Sequence, residues 1–386
     1  MHTATRLGVR LARRVRQLQP RAHVCFYVLY ASLNADNLLG ELADSIVGGE
    51  FETPLVNLVN GGPGPNDQVF VGHQSFRVPD RYDLPSLHRY ARLDDGKRRK
   101  LVGYVEASRG CAHRCLHCPI TPVYGGRLRI VPLEVVMDDV RQLVSMGAEH
   151  ITFGDPDFFN AIKHSVRILE MLHDAFPALT YDATIKIEHL LEHQRFLPML
   201  KDTGCAFVVS AVESIDDRVL GFLRKGHTAA DVERALQLMA EHDLVLRPTF
   251  VPFTPWTTLP SYLELLEFIE AHALINHIDP IQLAIRLLLP RGSSLLGSTC
   301  LDGLVGEFDA EALVYRWDHA DPRVDALQQQ VAAIVEHDAR GSKLESVGTF
   351  YRIKDAVLRA FGRPPDVHRS GASISLVPHL TEAWFC

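Results

Sequence analysis

From residue 101 to residue 291 the sequence alternates short apolar or β-branched runs with amphipathic helical patterns, and this alternation constrains the fold most strongly. The runs predicted to be strands are residues 103–107, 150–153, 181–185, 206–211, 245–251 and 281–288. After Pro132, apolar residues recur at helical spacing until Gly147, which is typical of a helix with one buried face. This order predicts an α/β fold whose parallel sheet curls into a partial (β/α)6 TIM-like barrel.

The segments that flank this barrel have different patterns. Residues 1–60 predict helix, strand, helix and strand, with Gly48-Gly49-Glu50 opening another helix, which is an incomplete Rossmann-like segment. Two strands are too few for a parallel sheet covered on both faces, so we expect earlier strands to be missing through a misplaced start or a truncation. Residues 61–100 predict a linker, and residues 292–386 a helical C-terminal extension and tail.

Composition excludes several classes of protein. The 386 residues carry a formal net charge of -7, so no overall basic field attracts nucleic acid, and none is expected as a partner. No apolar stretch reaches the roughly 18 residues that a membrane span requires, so no membrane partner is expected. The seven cysteines are too few for a disulfide scaffold in a chain of this length, which favours metal binding in the reducing cytoplasm. The arginine-rich start predicts a surface helix, with an organelle transit signal as the alternative.

Three cysteines lie within eight residues directly after the first predicted strand of the barrel: Cys111, Cys115 and Cys118. Three thiolates on one short loop can hold three irons of a cubane cluster and leave the fourth iron open for a ligand. A structural zinc site that adds His113 or His117 is one alternative, and a chance group of free thiols is another. Zinc sites usually take a second ligand pair further along the chain, and no closely spaced pair follows.

The spacing of Cys111, Cys115 and Cys118 at the end of the first strand of such a barrel resembles the radical S-adenosylmethionine (SAM) enzymes, over about residues 101–291. The resemblance implies a [4Fe-4S] cluster whose open iron chelates the amino and carboxylate groups of SAM. One electron then cleaves the sulfonium and yields a 5'-deoxyadenosyl radical that abstracts hydrogen from a substrate. An electron donor such as flavodoxin or ferredoxin is implied as a partner.

The same resemblance assigns cofactor contact to His117, Gly154, Asp155, Ser210, Glu213 and Lys225. Gly154 and Asp155 stand where the family has a Gly-Gly-Glu stretch that receives the amino group of SAM; an N-cap or turn role is the alternative for Asp155. Ser210 and Glu213 end the fourth strand, where relatives hold the ribose or methionine part. Lys225 resembles the basic residue that pairs with the methionine carboxylate, and Arg224 competes with it. His117 takes the place of an aromatic residue that packs near the adenine.

The N-terminal segment resembles the cobalamin-binding domain of cobalamin-dependent radical enzymes, although the Asp-x-His-x-x-Gly loop that supplies a lower ligand is absent. Methyl transfer through cobalamin is therefore one reaction class, and hydrogen abstraction or sulfur insertion without cobalamin is the other. The end of the chain resembles the tail of a radical family that ends in Cys-Cys-Ala-Glu-Pro or its selenocysteine form, so Cys386 is expected to precede a selenocysteine codon read as a stop. An ordinary C-terminal cysteine is the alternative. A zinc-stabilised, non-catalytic binding module remains the rival function, and no residue identifies the substrate.

Overall fold

The N-terminal segment is a three-stranded parallel sheet with flanking helices. The structure is a computed structural model, which describes residues 2–62, 69–340, 346–364 and 377–382. The elements of the segment are α1 (His2–Leu18), β1 (Cys25–Tyr27), α2 (Leu29–Leu33), α3 (Ala35–Leu38), β2 (Ser45–Gly49), α4 (Glu52–Val59) and β3 (Val69–Phe70). Strand β2 lies between β1 and β3 and is parallel to both. The order of helices and strands up to residue 59 agrees with the sequence pattern.

The main sheet begins with a hairpin and continues as alternating strands and helices. Its first part comprises β4 (Arg92–Asp94), β5 (Arg99–Val105), β6 (Ser108–Gly110), α5 (Ile120–Tyr124), β7 (Leu128–Ile130), α6 (Leu133–Ser145), β8 (His150–Phe153), α7 (Ile162–Ala175) and β9 (Thr180–Thr184). Its second part comprises α8 (Ile187–Glu192), α9 (Leu197–Asp202), β10 (Cys205–Glu213), α10 (Asp217–Leu223), α11 (Ala229–Glu241), β11 (Leu246–Phe250) and α12 (Leu259–Ala271). Strands β5, β8, β9, β10 and β11 are parallel neighbours in that order, which confirms the partial barrel.

Side chains of the parallel strands alternate between the barrel interior and the helices that cover the sheet. Val208 of β10 belongs to the main hydrophobic core with residues of α11, whereas its neighbour Val209 lines the interior. Helices begin with the expected signals: Thr228 and Asp231 form a reciprocal capping box at α11. Pro132 immediately precedes α6, whose buried face includes Val136 and Val140.

The predicted sixth strand at residues 281–288 is wrong. A 3₁₀ helix occupies Pro280–Ala284, and only an isolated bridge between Phe253 and Arg286 continues the sheet there. Proline fixes its φ angle and lacks an N–H for a sheet ladder, so Pro280 favours the turn. The apolar residues that follow are buried in a second hydrophobic cluster. Their apolar pattern therefore reflects burial and not pairing in a sheet.

The C-terminal extension contains a short hairpin, two helices and a final strand. These are β12 (Phe308–Asp309), β13 (Val314–Tyr315), α13 (Pro322–Ala339), α14 (Ser346–Ala360) and β14 (His379–Leu380). The extension contains helices, as predicted, and β14 pairs with β4 at the edge of the main sheet. Cys386, on which the prediction for the tail depends, lies outside the described residues. Within the described ranges, no helix combines the length and apolarity needed to cross a membrane.

Gly49 at the end of β2 is predicted to be essential for the N-terminal sheet. Its φ is +76°, and a Cβ there would lie 2.2 Å from the carbonyl oxygen of Phe70. Gly49→Ala should therefore reduce the free energy of unfolding by about 2 to 4 kcal/mol, since a left-handed backbone and a clash with backbone both oppose the side chain. Urea unfolding would measure the loss. The control is Gly221→Ala in α10, where no atom lies within 4 Å and φ is not positive; it should be neutral or stabilising. Equal stability of Gly49→Ala and the wild type would contradict the prediction.

Candidate functional site

The three clustered cysteines lie on a loop at the carboxyl end of β5. Strands β6 and β7 pair antiparallel at the base of this loop and set its ends side by side. The amide of Leu116 donates to the carbonyl of Leu223, 3.0 Å away, which attaches the loop to the end of α10. Cys115 is buried, and Cys111 and Cys118 are half-buried. The loop thus holds its thiols inward at the end of the barrel where such folds carry their chemistry.

The three thiols influence one another electrostatically. Burial raises the pKa of Cys111, and burial together with the nearby Cys115 and Cys111 sulfurs raises the pKa of Cys118 to about 12. Deprotonation of such thiols requires a positive partner, which a bound metal ion or an iron-sulfur cluster would supply.

Neither histidine of the loop turns toward the thiols as a zinc ligand would. His113 Nε2 lies 3.3 Å from Asp157 Oδ2, and His117 Nε2 lies 3.0 Å from Glu213 Oε1. Each ring is thus directed to a carboxylate on a different part of the barrel. This geometry does not support the alternative in which His113 or His117 completes a zinc site with the cysteines.

Asn160 is a contact of the cysteine loop that the sequence pattern did not reveal. Its Nδ2 donates to Cys111 Sγ at 3.5 Å, and its Oδ1 accepts from the amide of Ala112 at 3.2 Å. Hydrogen bonds to ligand sulfurs influence the reduction potential of an iron-sulfur cluster. No local motif marks an asparagine for this role, because the contact joins the loop to the turn after β8.

Glu213 and Lys225 form a buried ion pair beside the cysteine loop, as two of the predicted cofactor contacts. Lys225 Nζ lies 3.4 Å from Glu213 Oε1, the oxygen that also faces His117. Burial opposes ionisation of Glu213, but Lys225 and His117 lower its pKa to about 2. Burial lowers the pKa of Lys225, whereas Glu213 and the sulfurs of Cys115 and Cys118 raise it, with a net upward shift. The structure therefore brings His117, Glu213 and Lys225 together with the cysteines.

Glu213 owes its position to an irregular end of β10. The register with β11 shifts between Ala211 and Glu213, and Glu213 has a φ of +69°. Such a conformation costs about 1 to 3 kcal/mol in a residue other than glycine and often marks a functional position. Ser210 lies two residues after Val208 on the same side of the strand, and its buried Oγ has no hydrogen-bond partner. The predicted contact between Ser210 and the cofactor stays a prediction.

Gly154 and Asp155 follow β8 and lie against β5 and the segment after it. A Cβ on Gly154 would lie 2.0 Å from the ring of Tyr104, so the absence of a side chain leaves room for that tyrosine. Asp155 accepts hydrogen bonds from Ser108 Oγ at 2.5 Å and from the amide of Ala107 at 2.9 Å. Asp157, and not Asp155, caps the following 3₁₀ helix by accepting from Phe159. Asp155 is therefore not the N-cap of that helix. Its hydrogen bonds connect the end of β8 to the segment after β5.

Asp155 is predicted to make stability depend on pH. Burial raises its pKa from 3.8 to about 7, although hydrogen bonds from Ser108 and Ala107 lower it. A carboxyl with a raised folded-state pKa contributes stability that is complete below pH 3.8 and is lost as the pH rises through about 7. Relative to Asp155→Asn, the wild type should lose about 1.4 kcal/mol per pH unit between about pH 5 and 7. Urea unfolding of both proteins at each pH would measure this, and parallel curves would refute it.

The N-terminal sheet faces the cysteine loop through its carboxyl edge. Arg109 of β6 forms ion pairs with Glu52 at 2.6 Å and with the fully buried Glu50 at 3.3 Å, just after β2. Tyr124 of α5 donates to Glu50 as well, at 2.9 Å. Side chains of α2 pack on α5 in the same junction. Ligands of open α/β sheets bind at this edge, so the edge that would receive a cofactor adjoins the loop.

The barrel interior contains a partly open cavity of about 50 Å³. Its polar lining includes Thr152, Asp182 and Arg247. Asp182 accepts from Thr152 at 2.6 Å and lies 2.8 Å from His150 Nε2, whereas Arg247 lies 3.3 Å from Asp279. The charged side chains of this lining are therefore paired with one another or with close neighbours.

One family model and several curated proteins are similar to part of this chain. Residues 105–266 match the model of the Radical SAM superfamily. The ribosomal protein uS12 methylthiotransferase RimO of Porphyromonas gingivalis is 27% identical over 199 residues, which cover 45% of this chain and 43% of that protein. The chain thus spans less than half the length of this curated relative.

Solved structures of two radical enzymes share the fold. The apo form of OxsB, a cobalamin-dependent S-adenosylmethionine radical enzyme, has a TM-score of 0.59 at 14% identity, over 91% of this chain and 65% of that one. TsrM of Kitasatospora setae, a radical S-adenosylmethionine methyltransferase solved with cobalamin and a [4Fe-4S] cluster, has a TM-score of 0.51 at 18% identity, over 68% and 55%. With the cysteine loop, the match to the family model identifies residues 105–266 as a radical SAM domain.

Proposed function

We propose that the chain reductively cleaves SAM at a [4Fe-4S] cluster held by Cys111, Cys115 and Cys118, to start radical chemistry on a substrate in the barrel. The observation that carries the proposal is the convergence of the three thiols with a buried ion pair at the carboxyl end of the sheet. When bound, the cluster supplies one electron to the sulfonium of SAM. All other steps below concern side chains of this chain.

The side chains around the loop match the groups of SAM by charge. Asp155 is a carboxylate when deprotonated and suits an ammonium group, whereas Lys225 retains N–H donors for a carboxylate beyond its contact with Glu213. His117, fixed by Glu213, offers an imidazole face to an adenine. The buried surroundings of Glu213 and Lys225 exclude water, which strengthens each electrostatic contact and protects a reactive radical.

We propose methyl transfer through cobalamin as the reaction class. Its support is the carboxyl edge of the N-terminal parallel sheet, which faces the cysteine loop across Arg109. In the described residues, Glu50, Glu52 and Tyr124 fill this junction, so a corrin ring there requires these contacts to open. Equilibrium binding of hydroxocobalamin to the reconstituted chain, followed by its visible spectrum, tests the idea. Unchanged spectra and full recovery of free cobalamin would leave the second class, hydrogen abstraction or sulfur insertion without cobalamin.

Anaerobic reconstitution with iron and sulfide tests the main proposal. We expect about four irons per chain, a visible absorption that bleaches with dithionite, and 5'-deoxyadenosine after reduction in the presence of SAM. A colourless protein that binds one zinc would favour the non-catalytic module instead. A cluster without 5'-deoxyadenosine would show a barrel that holds the cluster but does not cleave SAM.

We further propose that a cytoplasmic flavodoxin or ferredoxin supplies the electron, because the reaction needs a reductant that the chain does not contain. Replacing dithionite by reduced flavodoxin in the same assay should sustain 5'-deoxyadenosine formation. Failure with both flavodoxin and ferredoxin would reject this class of donor while leaving SAM cleavage by dithionite intact.

A further inference from the structure

A second group of metal-binding side chains lies beside the cysteine loop and is distinct from the cysteines. It joins His113 of the loop, Asp157 after β8 and His189 of α8. His189 Nδ1 lies 2.7 Å from Asp157 Oδ2, and His113 Nε2 lies 3.3 Å from the same oxygen. The two imidazole rings are 4.7 Å apart between centroids. One ligand atom from each residue lies within 4.8 Å of the other two.

Asp157 is held so that one oxygen faces the two histidines. Its side chain is fully buried, and its Oδ1 accepts from the amides of Phe159 at 3.3 Å and Lys186 at 3.4 Å. Its Oδ2 is buried without a hydrogen-bond partner, as are the facing nitrogens of His113 and His189. Three buried atoms with lone pairs thus converge at short range without the geometry of hydrogen bonds. A buried carboxylate oxygen requires a positive partner, and either the neighbouring imidazole of His189 or a metal ion bound between the three residues can supply it.

We propose that His113, Asp157 and His189 bind a divalent transition-metal ion, such as zinc or ferrous iron, in a mononuclear site. Two imidazoles and one carboxylate are a common donor set for both ions, and they leave further coordination positions open. Bonds of about 2.0 to 2.2 Å place neighbouring ligand atoms about 3 to 3.5 Å apart, close to the separations in this group. The site does not depend on the proposed function, because it uses none of the three cysteines.

The surroundings orient His113 as a ligand. Its other nitrogen, Nδ1, lies 3.5 Å from Glu188 Oε2, and Lys186 Nζ lies 3.1 Å from the same oxygen. A ligating histidine usually donates its second N–H to a carboxylate, which fixes the ring and the tautomer. Glu188 lies on the Nδ1 side of the ring, where such a carboxylate stands, and Nε2 faces Asp157.

The position of His113 gives the site a consequence for the loop. His113 lies between Cys111 and Cys115, so a metal bound there ties the cysteine loop to the turn after β8 and to α8. We expect the metal to hold the loop in place whether or not the cysteines carry a cluster.

The test measures metal binding by the full-length chain in which Cys111, Cys115 and Cys118 are all replaced by alanine. This variant has no cluster ligands, and cobalt(II) serves as a visible probe that zinc can displace. We expect one cobalt per chain, with visible absorption bands, and one zinc that competes for it. In the same background, Asp157→Asn should weaken zinc binding by more than about 100-fold, and Glu188→Gln by about 10- to 100-fold.

Glu192→Gln is the matched control, because Glu192 belongs to a second, more exposed group with His189 and His193. Its zinc affinity should equal that of the parent variant. A loss of affinity in Glu192→Gln without a loss in Asp157→Asn would move the metal to the second group and overturn the proposal. Absence of any bound cobalt or zinc in the folded parent would overturn it as well.

A second measurement keeps the proposal testable if the triple variant fails to fold. Wild-type chain and Asp157→Asn are reconstituted with iron and sulfide and dialysed against zinc, and their metals are counted by mass spectrometry. Both should show the same cluster absorption, and only the wild type should retain one zinc per chain. Equal zinc in the two proteins would refute the site, and this outcome is independent of whether SAM is cleaved.

Discussion

Replacing Cys115 by alanine is expected to abolish SAM cleavage and to reduce bound iron from about four atoms per chain to less than one. Cys115 is the buried thiol of the three, so its loss removes the central anchor of the cluster and leaves two ligands on a short loop. Two thiolates do not hold a cubane against dissociation, and without the cluster no electron reaches the sulfonium. Iron analysis and the visible spectrum after anaerobic reconstitution measure the first effect, and formation of 5'-deoxyadenosine measures the second.

The control for this prediction is Cys25→Ala, a half-buried cysteine on β1 that lies in the N-terminal sheet. It should retain the iron, the spectrum and the activity of the wild type. Retention of a full complement of iron by the Cys115 variant would show that the loop does not hold the cluster. The assignment of the three cysteines would then be incorrect.

The second large effect concerns the stability of the barrel. Glu213→Gln should reduce the free energy of unfolding by about 3 to 5 kcal/mol, because it leaves Lys225 charged and buried without its carboxylate. The double variant with Lys225→Met should recover part of this loss, since it removes the stranded charge. Urea unfolding of the wild type, both single variants and the double variant gives the coupling between the two side chains.

An exposed ion pair provides the comparison for this cycle. Arg167 and Glu170 of α7 lie 3.2 Å apart, and about half of each side chain is in solvent. Arg167→Gln should change stability by no more than about 1 kcal/mol, because water screens such pairs. If Glu213→Gln changed the free energy of unfolding as little as Arg167→Gln, the prediction for the buried pair would be wrong.

The strands of the barrel were predictable because each is a short apolar run between turn residues. Strands β5, β8, β9, β10 and β11 lie within a few residues of their predicted places. The sixth prediction failed because a buried apolar run after Pro280 has the same pattern as a strand. Strand β4, inside the predicted linker, was missed although Asp95-Gly96 is a hairpin signal between it and β5. The division of the chain into segments 1–60, 61–100, 101–291 and 292–386 stays a prediction.

Parts of the site that are close in sequence were predictable, and parts that the fold assembles were not. The cysteines share one loop and were marked by their spacing, whereas Glu213 and Lys225, which are separated by one short helix, were marked by the family resemblance. Asn160, Arg109 and Asp157 meet their partners only through the topology of the sheet, and no pattern announces such contacts.

The pairing of β14 with β4 has a consequence for how the protein avoids aggregation. Without His379–Leu380, strand β4 would present unpaired backbone amides and carbonyls along the sheet's outer margin, a surface on which strands of other molecules can add. A strand of two residues takes that margin instead and is itself too short to template further growth. Chains cut before Val377 should therefore self-associate at high concentration even when their barrel remains folded.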